Sequence, residues 1–98
     1  MGHSLKTANF LIESRLRDAA SGKIDAYYDL GIAYSSGTGG LDVDLIEAHK
    51  WFNLAAVSGH ERAQQCRAEI SDEMTAREIA TAQKQARAWL SETMRHAA

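Results

Sequence analysis

The apolar positions of this chain recur every three or four residues almost from end to end. Leu5, Ala8, Ile12, Leu16 and Ala19 form one such stripe and predict an amphipathic helix over about 5–20, closing near Gly22. Glu13 and Arg17 stand four apart on its polar side, as a supporting ion pair would. Ala26, Leu30, Ala33 and Tyr34 predict a second helix over about 25–36, stopped by Gly37, with Asp25 placed to cap or charge its start. Ala48, Trp51, Phe52, Ala55 and Ala56 mark a third over about 45–58, with Asp44 as N-cap, Glu47 three residues on, and Gly59 as terminator. Ala63, Cys66 and Ile70 give a shorter helix over about 60–71. Thr75-x-x-Glu78 reads as a capping box opening a last helix, whose stripe of Ile79, Ala82, Ala86, Trp89 and Leu90 runs to about residue 95. Strand-like alternation is absent, so the pattern predicts an all-α domain of about five antiparallel helices with short connections.

Ser21-Gly22-x-x-x-Ala26 recurs as Ser58-Gly59-x-x-x-Ala63, an offset of 37 residues. A period in the thirties built on a helix-turn-helix unit is the signature of stacked helical repeats. The intervening residues are specific. Ala26-Tyr27-Tyr28-Asp29-Leu30-Gly31-x-x-Tyr34-x-x-Gly37-x-Gly39, then Asp44-x-x-x-Ala48-x-x-Trp51-Phe52-x-x-Ala55-Ala56, then Gly59-x-x-x-Ala63 resembles a Sel-one-like repeat, within the tetratricopeptide class. The likeness covers about residues 22–63, with the full repeat at about 22–58. It departs from the pattern in a slightly longer loop and in Glu47, where Lys is common. Residues 5–21 resemble the second helix of a preceding repeat. Residues 59–71 resemble the first helix of a following one, with Arg67-Ala68 in place of Leu-Gly, and about 76–95 resembles a terminal capping helix.

The resemblance implies one domain over 5–98, arranged as a right-handed α-α superhelix, that binds a protein or peptide as an adaptor and has no chemistry or cofactor of its own. It also implies a concave face lined by the first helix of each pair. Carried over by register, the binding positions are Asp25, Tyr28, Ile32 and Ser35, joined by Arg62, Gln65 and Glu69 from the partial repeat. Tyr28 and Ile32, four apart, would form the apolar anchor.

Other chemistry is poorly supplied. The stretch Ser35–Asp44 holds Gly37, Gly39 and Gly40, but no Lys or Arg lies between Lys23 and Lys50, so it is no Walker loop. Asp42 stands where a dinucleotide loop needs its third glycine, and Asp42, Asp44 and Glu47 lack calcium-loop spacing. It reads as a helix-hairpin turn. His49, His60 and His96 form no metal-binding pair and read as polar surface residues, with His60 placed to cap a helix. Cys66, the sole cysteine, falls on an apolar stripe; with no disulfide available, it leans towards a cytoplasmic setting.

A formal charge of −2 supplies no basic face for nucleic acid, and no apolar run approaches a membrane span. Asp25, Asp29, Asp42, Asp44 and Glu47 instead gather acid in one segment, which would steer a basic partner. Residues 1–4 read as a tail or cloning remnant. Phe10, Leu11, Trp89 and Leu90 carry more apolar surface than one stripe needs, which leaves a homodimer through the terminal helices as the alternative to partner binding.

Overall fold

The computed structural model describes the backbone of residues 2–97 and the side chains of residues 10–38 and 40–95. Residues 1 and 98, and the side chains of Leu5, Ala8 and His96, lie outside the described residues. Five helices follow in order: α1 (Gly2–Ala20), α2 (Ile24–Ser36), α3 (Leu45–Val57), α4 (Glu61–Ser71) and α5 (Ala76–Ala97). The described residues contain no strand, as the periodicity predicts. A single 3-10 turn, Thr38–Gly40, is added between α2 and α3.

The helix ends follow local chemistry. Gly37 closes α2 with φ 69°, a left-handed conformation that costs glycine nothing, and its N–H donates to the Ala33 carbonyl. The chain then turns back, and the Asp44 N–H donates to the Tyr34 carbonyl at 2.9 Å. Asp44 Oδ1 accepts the Glu47 N–H at 3.1 Å, capping α3. The reciprocal half of that box is missing, because the Glu47 carboxylate is engaged by Trp51 Nε1 at 3.2 Å and Lys50 Nζ at 2.8 Å. At α5 the box is complete: Thr75 N–H donates to Glu78 Oε1 and Glu78 N–H to Thr75 Oγ1. The expected cap at α2 is not made. Lys23 holds the N-cap position without a side-chain bond, and Asp25 contributes only its charge to the first turn. The Glu13–Arg17 pair is not among the ion pairs of the described residues; Arg15 instead reaches across to Asp29 of α2 at 3.1 Å.

α3 is the hub. It packs most extensively on α2, and also on α4 and α5, while α1 covers the other flank of α2. Because three helices surround it, its burial exceeds one stripe: Ala48, His49, Trp51, Phe52, Leu54, Ala55 and Ala56 are all buried. Close approach to α2 depends on Gly31. A Cβ there would lie 2.5 Å from two Phe52 ring carbons. Tyr27, outside the stripe read from the sequence, is buried too and stacks on Trp51 at 6.0 Å. On the opposite side Trp89 of α5 meets Trp51 edge-on at 4.8 Å, and Lys50 lies over both indoles, 4.5 Å from Trp51 and 5.8 Å from Trp89. No helix among the described residues is long and apolar enough to cross a membrane.

Candidate functional site

Two antiparallel steps, α2 to α3 and α3 to α4, bring α2 and α4 into the same direction. They meet where Tyr28 of α2 reaches His60, the N-cap of α4. Tyr28 is half-buried and its ring tilts against Phe52 at 5.9 Å. Its other contact is His60, stacked at 4.4 Å with an interplanar angle of 15°. His60 in turn caps α4, its Nδ1 accepting the Ala63 N–H at 3.1 Å. Arg62, one turn into α4, is exposed. A hydrogen bond to the Tyr28 side chain, reinforced by charge attraction there and from Cys66 and Glu69, raises its guanidinium above the ordinary arginine value.

The positions expected from the sequence divide accordingly. Tyr28 stacks on His60, two residues before Arg62, and its side chain is the leading cause of the Arg62 shift. Ile32, one turn beyond Tyr28, is 38% exposed. Ser35 donates its hydroxyl to the Ile32 carbonyl at 3.1 Å and so serves its own helix. Gln65 and Glu69 are exposed and follow Arg62 at helical spacing along α4. Asp25 belongs elsewhere: with Arg15, Asp18, Lys23 and Asp29 it lines a hollow of about 540 Å³ where α1 meets α2. Two ion pairs, Arg15–Asp29 and Lys23–Asp18, close much of that wall on itself.

His49 corrects the surface assignment. It is 2% exposed, and its Nδ1 has no hydrogen-bond partner among the described residues. Burial, with Arg67 nearby, pushes its imidazole below the ordinary value. Arg67 itself donates to Asn53 Oδ1, one turn further along α3. Tyr34 moves the other way: burial, then the charges of Glu47 and Asp44, raise its phenol. Cys66 is half-buried and packs against the core, as its place on the stripe implies.

The acidic segment is largely committed to local structure. Asp29 pairs with Arg15, Asp44 caps α3, and Glu47 holds Lys50 and Trp51. Asp25 and Asp42 remain exposed. No group of three or more His, Cys, Asp or Glu side chains among the described residues is arranged to hold a metal ion. Of the surplus apolar residues, Trp89 and Leu90 pack against the core, whereas Phe10 is 63% and Leu11 50% exposed on α1. The Tyr28–His60 contact is the feature sequence reasoning missed; only the register expected from the repeat resemblance, which would set α2 beside α4, gave a route to it. Compared with protein-family models, with curated proteins and with solved structures, the chain gives no match.

Proposed function

We propose that this chain is a Sel-one-like helical repeat whose α2–α4 face binds a protein or peptide, without chemistry of its own. The observation that carries the reading is that face: a ring pair, Tyr28 on His60, bordered by exposed Ile32 and Arg62. Such an arrangement offers a rigid apolar floor with a charged rim, the anatomy of a small interface. The motif from Ala26 to Ala63 favours the repeat assignment, and so does the order of packing, in which α3 touches α2, α4 and α5 as the second helix of a stacked repeat would. A right-handed superhelix is the arrangement that assignment entails. The chemistry-bearing side chains also have structural duties: His49 lies in the core, His60 caps α4 and Cys66 packs on the core. A cytoplasmic setting agrees with the single, unpaired cysteine.

Ile32 tests the reading better than Tyr28, whose loss would also uncover Phe52. A random-peptide display library panned against the folded domain should yield binders that an Ile32→Arg variant of unchanged helicity fails to retain. Equal recovery on both proteins would remove the α2–α4 face as the binding surface.

A second reading, self-association, is favoured by exposed Phe10 and Leu11 on the terminal helix. Sedimentation at micromolar concentration separates it: a clean species of 10.8 kDa eliminates the dimer.

A further inference from the structure

We propose that two copies of this chain pair through α1, antiparallel about a two-fold axis at residue 15, with Glu13 of each copy meeting Arg17 of the other. The inference rests on the self-association reading above and adds the surface and its register. None of the α2–α4 binding positions belongs to this surface.

α1 packs on α2 and on the 3-10 turn that follows it. Away from those contacts, Phe10, Glu13, Arg17 and Ala20 are all exposed. They follow one another at three, four and three residues, so they share one side of the helix. Phe10, at 63% exposure, leaves a large ring in water. The charges of this segment divide in two. Arg15 reaches Asp29 of α2 at 3.1 Å, and Asp18 takes Lys23 at 3.5 Å. Glu13 and Arg17 enter no ion pair among the described residues. An unpaired acid and an unpaired base therefore lie on the same side as the exposed ring.

This stripe is its own complement. Glu13 and Arg17 stand two residues either side of residue 15, and Phe10 and Ala20 stand five either side. A two-fold axis there, perpendicular to the helix, sets each position of one copy against its mirror position in the other. Glu13 then faces Arg17 of the second copy, and the reciprocal pair forms by symmetry. Phe10 lies over Ala20 of the second copy, whose small side chain leaves room for a ring at the about 8–10 Å spacing of packed helices. A parallel pairing would instead oppose like charges at both positions, so the charges select the antiparallel one. Leu11 stands about 100° around the helix from Phe10. Its mirror position, Ala19, is buried, so Leu11 lies outside the interface. One helix pair of this length falls short of a standard interface, and the dimer is accordingly weak. The ring supplies most of its affinity and the charges set its orientation.

Sedimentation equilibrium at micromolar concentrations should find the wild-type chain in reversible monomer–dimer exchange. Glu13→Arg and Arg17→Glu should each weaken the dimer on the order of tenfold, since either change makes both cross-copy pairs repulsive. Mixing the two variants should restore association, because one then carries two cations and the other two carboxylates on the stripe. That recovery also shows that both variants are folded, and it should fade as salt rises. Phe10→Ser should abolish the dimer, whereas Leu11→Ser should leave it nearly unchanged. A dimer that neither charge reversal weakens, or that mixing fails to restore, would overturn the α1 pairing and leave self-association to another surface. A monomer at every concentration would remove both.

Discussion

The α2–α3 pair and the α4–α5 segment are each two consecutive helices joined by a short turn, yet they assemble differently. α2 and α3 lie directly on one another, in the most extensive helix contact of the fold. α4 and α5 each make closer contact with α3 than with one another. Residue size explains the contrast. At α2–α3, Gly31 lets the Phe52 ring sit where a Cβ would be, and Leu30, Tyr27 and Trp51 fill the remaining space. α4 buries only Ala63 and Ile70, too little apolar surface to hold a 22-residue partner. α5 turns instead to α3, setting Trp89 against Trp51 and burying Ala82 and Ala86. Adjacency in sequence does not create a helix pair; a matched small-and-large surface does.

Removing the large half of that match should have the largest effect. Trp51→Ala deletes a ring that touches Tyr27, Trp89 and Lys50, and should cost about 3–5 kcal/mol. Against a total of about 5–15 kcal/mol for an ordinary domain, that brings the protein close to unfolding. Trp89→Ala, at a half-buried position on α5, should cost less. Urea titration followed by circular dichroism checks both, and equal losses would mean that α2–α3 is no tighter than the α5 contact.

Changing the small half comes next. Gly31→Ala gains about 1 kcal/mol of helix propensity but drives a methyl into a ring that cannot retreat, and should be net destabilising by about 1–3 kcal/mol. A Phe52→Leu background should recover part of that loss, since the two changes share one space. Gly59→Ala meets nothing within 4 Å, so its cost arises only from φ 102° and should not depend on residue 52.

These residues also show what the sequence makes legible. Helix ends are written locally: Gly37, Asp44 and the Thr75–Glu78 box all act where the pattern places them. Burial around α3 is not local. A single stripe assumes a single neighbour, whereas α3 has three, and Leu54 and His49 are consequently buried outside the stripe. Tyr27 is hidden for a related reason, reaching Trp51 from beside the α2 stripe. A signal was present, since Leu45–Val57 is apolar on most sides, the mark of a helix enclosed by others. For the candidate site, the register expected from the repeat resemblance puts Tyr28 and Arg62 on one face. The Tyr28–His60 stacking depends on side-by-side packing of two helices that are not consecutive, which periodicity along one helix does not encode.

The caps of α3 and α5 refine the comparison at a smaller scale. Asp44→Ala should cost about 1 kcal/mol, the usual worth of an N-cap. Glu47→Ala should leave that cap intact and instead release Lys50 and Trp51 Nε1, so its effect should be coupled to Trp51. At α5, Thr75→Ala and Glu78→Ala act on one reciprocal box and should not be additive. Double-mutant cycles in urea distinguish the two arrangements. A Glu47–Asp44 coupling as large as the Thr75–Glu78 coupling would contradict them.

The smallest effect at neutral pH, and one that grows on acidification, belongs to His49. Its folded-state imidazole titrates below 6.5 because it is buried, with the Arg67 cation adding to the penalty on protonation. Between 6.5 and that lowered value the unfolded chain takes up a proton that the folded chain refuses. Stability is therefore complete above 6.5 and declines as the pH falls through the window between the two. His49→Leu removes the titrating group along with an unpartnered buried nitrogen, so it should be nearly neutral for stability at about pH 7 and should flatten the acid decline. Urea midpoints for both proteins, stepped from about pH 7 to about pH 5, give the comparison. Parallel wild-type and His49→Leu curves would place the acid sensitivity in other groups.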